Sequence, residues 1–237
     1  MAVAEWLRRV FGLAGGDGRR SSEGGWPDYY RRYATEVDHR IPPDTDLREI
    51  PVVVLDAEAT GIDVRQDRIL CMGGLRVSGN SINLGEKFEA YLPTPPGFER
   101  SDAVVIHGII PNSQRYAYVD EPTLLSDLLE FLDGALIVGH HIGFDVALIN
   151  QALKRHGAGP LLNQVVDTAD LAKRLRPAGY WTPEHDFSLD ALARRYRIPL
   201  SDRHTALGDC YITGVLWLKL LSRLALRVGR DLQLRDL

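Results

Sequence analysis

Apolar positions along the chain follow two different periods, and the switches between them outline an α/β protein. At 51–61, Pro-Val-Val-Val-Leu-Asp-Ala-Glu-Ala-Thr-Gly, a β-branched run passes straight into two carboxylates and a Thr-Gly turn, which predicts the first strand. Strand-like runs follow at 68–77 and 84–92, and the short polar link Ser78-Gly79-Asn80-Ser81 predicts an antiparallel hairpin. The helical period takes over at 121–134, where Pro122 stands at the first helical position, Leu124, Leu125, Leu128, Leu129 and Leu132 share a face, and Gly134 lies past the end. A buried strand is expected at 135–138, a helix at 146–156 stopped by Gly157, and a short strand at 163–168. Helices are expected at 169–176 and, capped by Ser188, at 189–196. The last helix, 206–226, is apolar on nearly every side and belongs in a core.

The flanks read differently. Residues 1–13 set Val3, Trp6, Leu7, Val10 and Leu13 at helical spacing, and a Gly-, Ser- and Arg-rich linker follows at 15–25. This short amphipathic helix either packs on its own domain or docks to a protein partner or a membrane surface. A second helix is expected at 26–38, and an aromatic loop at 177–187. The chain thus divides into an N-terminal helical extension with its linker (1–48), a main domain (49–228) and a C-terminal tail (229–237).

Composition narrows the function classes. With 237 residues, 45% of them hydrophobic and 25% charged, the chain can bury one sizeable core. Cys71 and Cys210 are its only cysteines and lie in apolar segments, which argues against a disulfide framework or zinc site and fits a reducing cytoplasm. No apolar run approaches the roughly 20 residues of a membrane span, and Glu5, Arg8 and Arg9 interrupt any secretory signal. A net charge of −4 does not announce a nucleic-acid binder, but an enzyme that gathers carboxylates around cations carries that sign by design.

Four carboxylates carry the candidate chemistry. Asp56 and Glu58, two apart on a strand, point the same way, and such a pair resists joint ionisation unless a cation offsets it. Hard oxygen ligands suit Mg²⁺ or Mn²⁺, the alternative being a strand that ends in solvated acids. Asp145 sits near a strand-to-helix junction, where taken alone it complements the helix dipole. Asp209 lies near the start of the buried last helix, a costly place for a carboxylate that is neither paired nor metal-bound. His204, five residues earlier, falls about 140° from Asp209 on an ideal helix, so it is expected on the preceding loop or first turn, where an imidazole can serve as general base. His107 lies in an apolar run and by itself reads as a core histidine, while Arg194, Arg195 and Arg197 read most simply as a solvated face.

The three acidic segments, Asp56-Ala57-Glu58-Ala59-Thr60-Gly61, His140-His141-Ile142-Gly143-Phe144-Asp145 and His204-Thr205-Ala206-Leu207-Gly208-Asp209, together resemble the DnaQ-like 3′→5′ exonucleases. The resemblance is to the branch with a His in its last motif (DEDDh), to which the exonuclease domain of the bacterial replicase's proofreading subunit belongs. It runs over about residues 51–221 and extends to Val166-Asp167-Thr168 and Ile106-His107-Gly108-Ile109. It implies an RNase H-like α/β fold, a mixed five-stranded sheet flanked by helices. By the same resemblance Asp56, Glu58, Asp145 and Asp209 hold two Mg²⁺ ions, for which Mn²⁺ substitutes, Asp145 acting partly through water, and His204 takes the proton from the attacking water. Ala57, Thr60 with the backbone after Glu58, and His107 line the pocket of the terminal nucleotide, and Phe144 supports it by packing. The implied partners are DNA or RNA 3′ ends and the implied product is a nucleoside 5′-monophosphate. Ala57 and Ala59 stand where the family commonly has Thr, and His141 where it has Asn. With the extension at the N-terminus rather than beyond the last helix, a stand-alone or differently tethered nuclease is expected. Two competing readings are a nucleic-acid- or partner-binding module that hydrolyses slowly or not at all, and a metal phosphohydrolase for small nucleotides.

Overall fold

A computed structural model describes residues 25–37, 40–98, 108–110, 113–176 and 183–237. The amphipathic segment 1–13, its linker up to residue 24, and His107 lie outside the described residues.

Five strands form one mixed sheet, β1 (Val52–Ala59), β2 (Ile69–Ser78), β3 (Ser81–Tyr91), β4 (Leu136–Gly139) and β5 (Val165–Asp167), in the order β3-β2-β1-β4-β5. The first three are antiparallel neighbours, whereas β4 and β5 run parallel to β1. The hairpin closes through Gly79 and Asn80, with Ser78 opposite Ser81 and Gly79 taking a positive φ of 54°. Because this turn is so tight, β3 begins three residues earlier than its apolar run.

Among the described residues six helices cover the sheet: α1 (Asp28–Glu36), α2 (Glu121–Leu132), α3 (Gly143–Arg155), α4 (Thr168–Leu175), α5 (Leu189–Tyr196) and α6 (Ala206–Val228). Alternation along β1 decides which helices meet which side chains. Val52 and Val54 pack with α4, α5 and α6 on one face, while Val53 and Leu55 pack with α1, α2 and α3 on the other. The four residues of β4 are all buried, as expected of a parallel strand covered on both faces.

The flanks are tied into the domain. Helix α1, read from the sequence as part of the extension, buries Tyr30 and Tyr33 in the main core, and the Tyr33 hydroxyl donates to Asn163 Oδ1 (2.6 Å) while accepting the Leu162 N–H (2.7 Å). Gly229 ends α6 at φ 74°, and the following tail bonds back to residues 43–47, with the Leu47 N–H donating to the Leu232 carbonyl at 2.9 Å. Of the loop 177–187, the described part includes a 3-10 turn over Glu184–Phe187 that buries Phe187. Among the described residues no helix is long and apolar enough to cross a membrane.

Candidate active site

The alternation that buries Val52 and Val54 beneath α6 carries on into Asp56 and Glu58, so both carboxylates emerge on the α6 side of the sheet. Opposite Asp56 on β2 stands Gly73, where a Cβ would lie 2.7 Å from the Ala206 carbonyl carbon. Its missing side chain is what lets α6 start directly on the sheet. Thr205 caps this helix by accepting the Gly208 N–H, which sets Asp209 in the first turn, 5% exposed. One oxygen from each of Asp56, Glu58 and Asp209 consequently lies within 4.8 Å of the others.

Asp145 reaches the site from the other side. Helix α3 begins at Gly143, three residues before the helix that periodicity predicts, and this puts buried Asp145 in its first turn. Its Oδ1 accepts the Ala57 N–H at 2.8 Å, so it braces the strand between the two acids and stands outside the three-oxygen group. His204 lies two residues before α6 in the left-handed region, φ 67°, and its N–H donates to Asp209 Oδ1 at 3.3 Å. Thr60 is buried, its hydroxyl donating to Asp67 Oδ1 (2.7 Å) and accepting the Arg68 N–H (3.0 Å), which locks the β1–β2 turn. Phe144, in the first turn of α3, is half-buried and packs on the core. Arg194, Arg195 and Arg197 are exposed.

Sequence reasoning passed over Arg203. Its Nε donates to Asp190 Oδ1 at 2.6 Å and its Nη1 to Asp209 Oδ2, bringing a guanidinium to the edge of the acidic group. The available signal was a cation directly before His204 in an acidic motif, but its partner Asp190 is on another helix.

Electrostatics sets the terms for occupancy. Burial, followed by repulsion from Asp145, Asp209 and Glu58, holds the Asp56 carboxyl well above the usual carboxylate range. Burial, then Asp209, pushes Glu58 up to about 8, and burial pushes Asp145 up to about 7. Asp209 is raised by burial against the pull of Arg203. These carboxyls cannot all ionise at neutral pH without added positive charge, and three convergent hard oxygens fit a divalent cation such as Mg²⁺ or Mn²⁺. Cys71 and Cys210, both buried free thiols, stay outside this donor set.

Comparison with known proteins agrees with this geometry. The PolC-type DNA polymerase III of Lacticaseibacillus paracasei is 29% identical over 182 residues, and that of Staphylococcus haemolyticus 27% over 183. Each match covers 77% of this chain, which spans only 12% of the length of those polymerases. Among solved structures, E. coli exonuclease I in complex with a dT13 oligonucleotide superimposes with a TM-score of 0.62 at 23% identity, covering 76% of this chain and 43% of that one. A complex of exonuclease I with SSB-Ct gives a TM-score of 0.58 at 22% identity, covering 76% and 42%. Both share the RNase H-like α/β fold. The model of the RNase_T exonuclease family matches residues 53–216, from β1 to the middle of α6, and so takes in every acidic residue of the site. The chain belongs to this DnaQ-like exonuclease family.

Proposed function

We propose that the domain is a 3′→5′ exonuclease that hydrolyses the terminal phosphodiester of DNA and releases nucleoside 5′-monophosphates. The observation that carries this reading is the convergence of Asp56, Glu58 and Asp209 oxygens within 4.8 Å. When bound there, two divalent ions, Mg²⁺ or its substitute Mn²⁺, supply the charge that activates water and stabilises the leaving 3′ oxygen. Asp56, Glu58 and Asp209 hold them, and Asp145 keeps the strand end in position through the Ala57 N–H while contributing its own charge to the site. His204 takes the proton from the attacking water. Ala57, Thr60 and Phe144 are assigned to the terminal nucleotide, as is His107 on the strength of its motif.

DNA is preferred over RNA because the similar polymerases act on DNA and the similar exonuclease structures hold deoxyoligonucleotides. A proofreading or repair role in the cytoplasm is part of the same reading. Degradation of 5′-labelled single-stranded DNA and RNA of one sequence, with Mg²⁺, Mn²⁺ or EDTA, tests the reading beside Asp56→Ala. The expected result is a metal-dependent ladder shortening from the DNA 3′ end and missing in the variant. Folded protein that produces no ladder with either metal overturns it, and an RNA ladder alone overturns the choice of DNA.

A further inference from the structure

The proposed hydrolysis leaves Arg203 without a task, although its guanidinium stands at the edge of the acidic group. Its Nη1 donates to Asp209 Oδ2 and lies 3.3 Å from His204 Nδ1, while the other Asp209 oxygen accepts the His204 N–H. Both oxygens of Asp209 are therefore covered from the same loop. The Arg203 side chain is 23% exposed and that of Asp209 7%, so water screens the pair weakly. We propose that Arg203 is a positioning residue that holds Asp209 until a divalent cation arrives, and that its guanidinium swings off both Asp209 and His204 when the cation binds.

The inference rests on the metal-dependent reading above. A doubly charged ion and a guanidinium on one carboxylate oxygen repel strongly at low dielectric, so the two exclude each other. Asp190 retains the Nε contact, which keeps the displaced guanidinium attached to α5 and able to return. Leaving Asp209 also takes the guanidinium off His204 Nδ1, which it meets at 3.3 Å.

Calorimetric titration of the full chain, Arg203→Gln and Arg203→Lys with Mn²⁺, each verified as folded by circular dichroism, tests this. Both variants are expected to bind Mn²⁺ about tenfold more tightly, the scale of losing one charged hydrogen bond. Lysine keeps the charge but cannot bridge Asp190 and Asp209, so its gain separates displacement from general relief of repulsion. Unchanged or weaker binding in either variant overturns the inference, and no Mn²⁺ uptake by any of the three removes the metal site and the inference with it. In the unsubstituted protein, the ¹⁵N resonances of the Arg203 guanidinium are expected to shift as Mg²⁺ saturates the site. Unaltered resonances overturn the displacement with no substitution involved.

Discussion

His204 is held by backbone geometry that few residues adopt. Its φ of 67° and that of Asp202, 55°, fold the loop sharply ahead of α6, and a Cβ at Gly208 would meet the Asp202 carbonyl oxygen at 2.0 Å. Left-handed non-glycine residues concentrate where a side chain must be aimed. Replacing His204 with Ala is expected to lower kcat by about 10²–10⁴-fold, the usual contribution of a positioned base, with Mn²⁺ uptake retained. Turnover and calorimetry on the same preparation check this, and a wild-type rate removes His204 from the proton-transfer step. Asp56, Glu58 and Asp209 were recognisable as residues because each looks out of place, acid at a strand end or in an apolar helix, whereas Asp145 stood out only through its motif. Arg203 was not, because an arginine beside solvated positions looks the same whether it faces water or a buried acid 6 residues along the chain.

Among the elements, the junction of β2 with α6 matters most for the site. At Gly73 an added Cβ would lie 2.7 Å from the Ala206 carbonyl carbon and 2.8 Å from its Cβ, contacts that no side-chain rotation relieves. Gly73→Ala is expected to cost about 1–3 kcal/mol of stability, typical of overpacking, and to lower exonuclease activity by lifting Asp209 away from Asp56. Gly134→Ala, whose Cβ would meet nothing within 4 Å, is the control. Urea denaturation and activity assays on both variants distinguish the outcomes, and equal behaviour means that this close approach does not position the site. Periodicity revealed both elements, since a strand and a buried helix imprint their repeat locally, but it did not reveal their contact. It also started α3 at 146, because Gly143 and Phe144 add little to an apolar stripe, whereas the helix begins at Gly143 and so captures Asp145.

For the whole molecule, the buried acids make metal-free stability depend on pH. The folded values of about 8 for Glu58 and about 7 for Asp145 exceed the ordinary carboxylate range, so the native state binds more protons than the unfolded chain. The stability these two contribute is fully present below the ordinary carboxylate pKa and is lost as pH rises through about 7–8. His140, bonded through Nδ1 to Thr168 Oγ1, works in the opposite direction. Burial pushes its pKa down to about 3, so its contribution is present above the ordinary histidine value and lost as pH falls toward 3. Because two carboxyls outweigh one imidazole, thermal midpoints of the metal-free protein are expected to be highest at mildly acidic pH and to fall as pH rises to about 8, with Mg²⁺ or Mn²⁺ raising the alkaline side most because ligation requires ionised carboxylates. A metal effect equal at pH 6 and pH 9 contradicts this account of the site. By itself the sequence determined the α/β class, most of the element boundaries and the identity of the acidic residues, because strand and helix periods follow from backbone geometry over a few residues. Only the tertiary structure decided that Asp56, Glu58 and Asp209 converge, that Asp145 grips a backbone amide 88 residues away, that α1 enters the core, and that Arg203 covers Asp209. Those relations depend on which faces of distant elements pack together, and no local repeat records them.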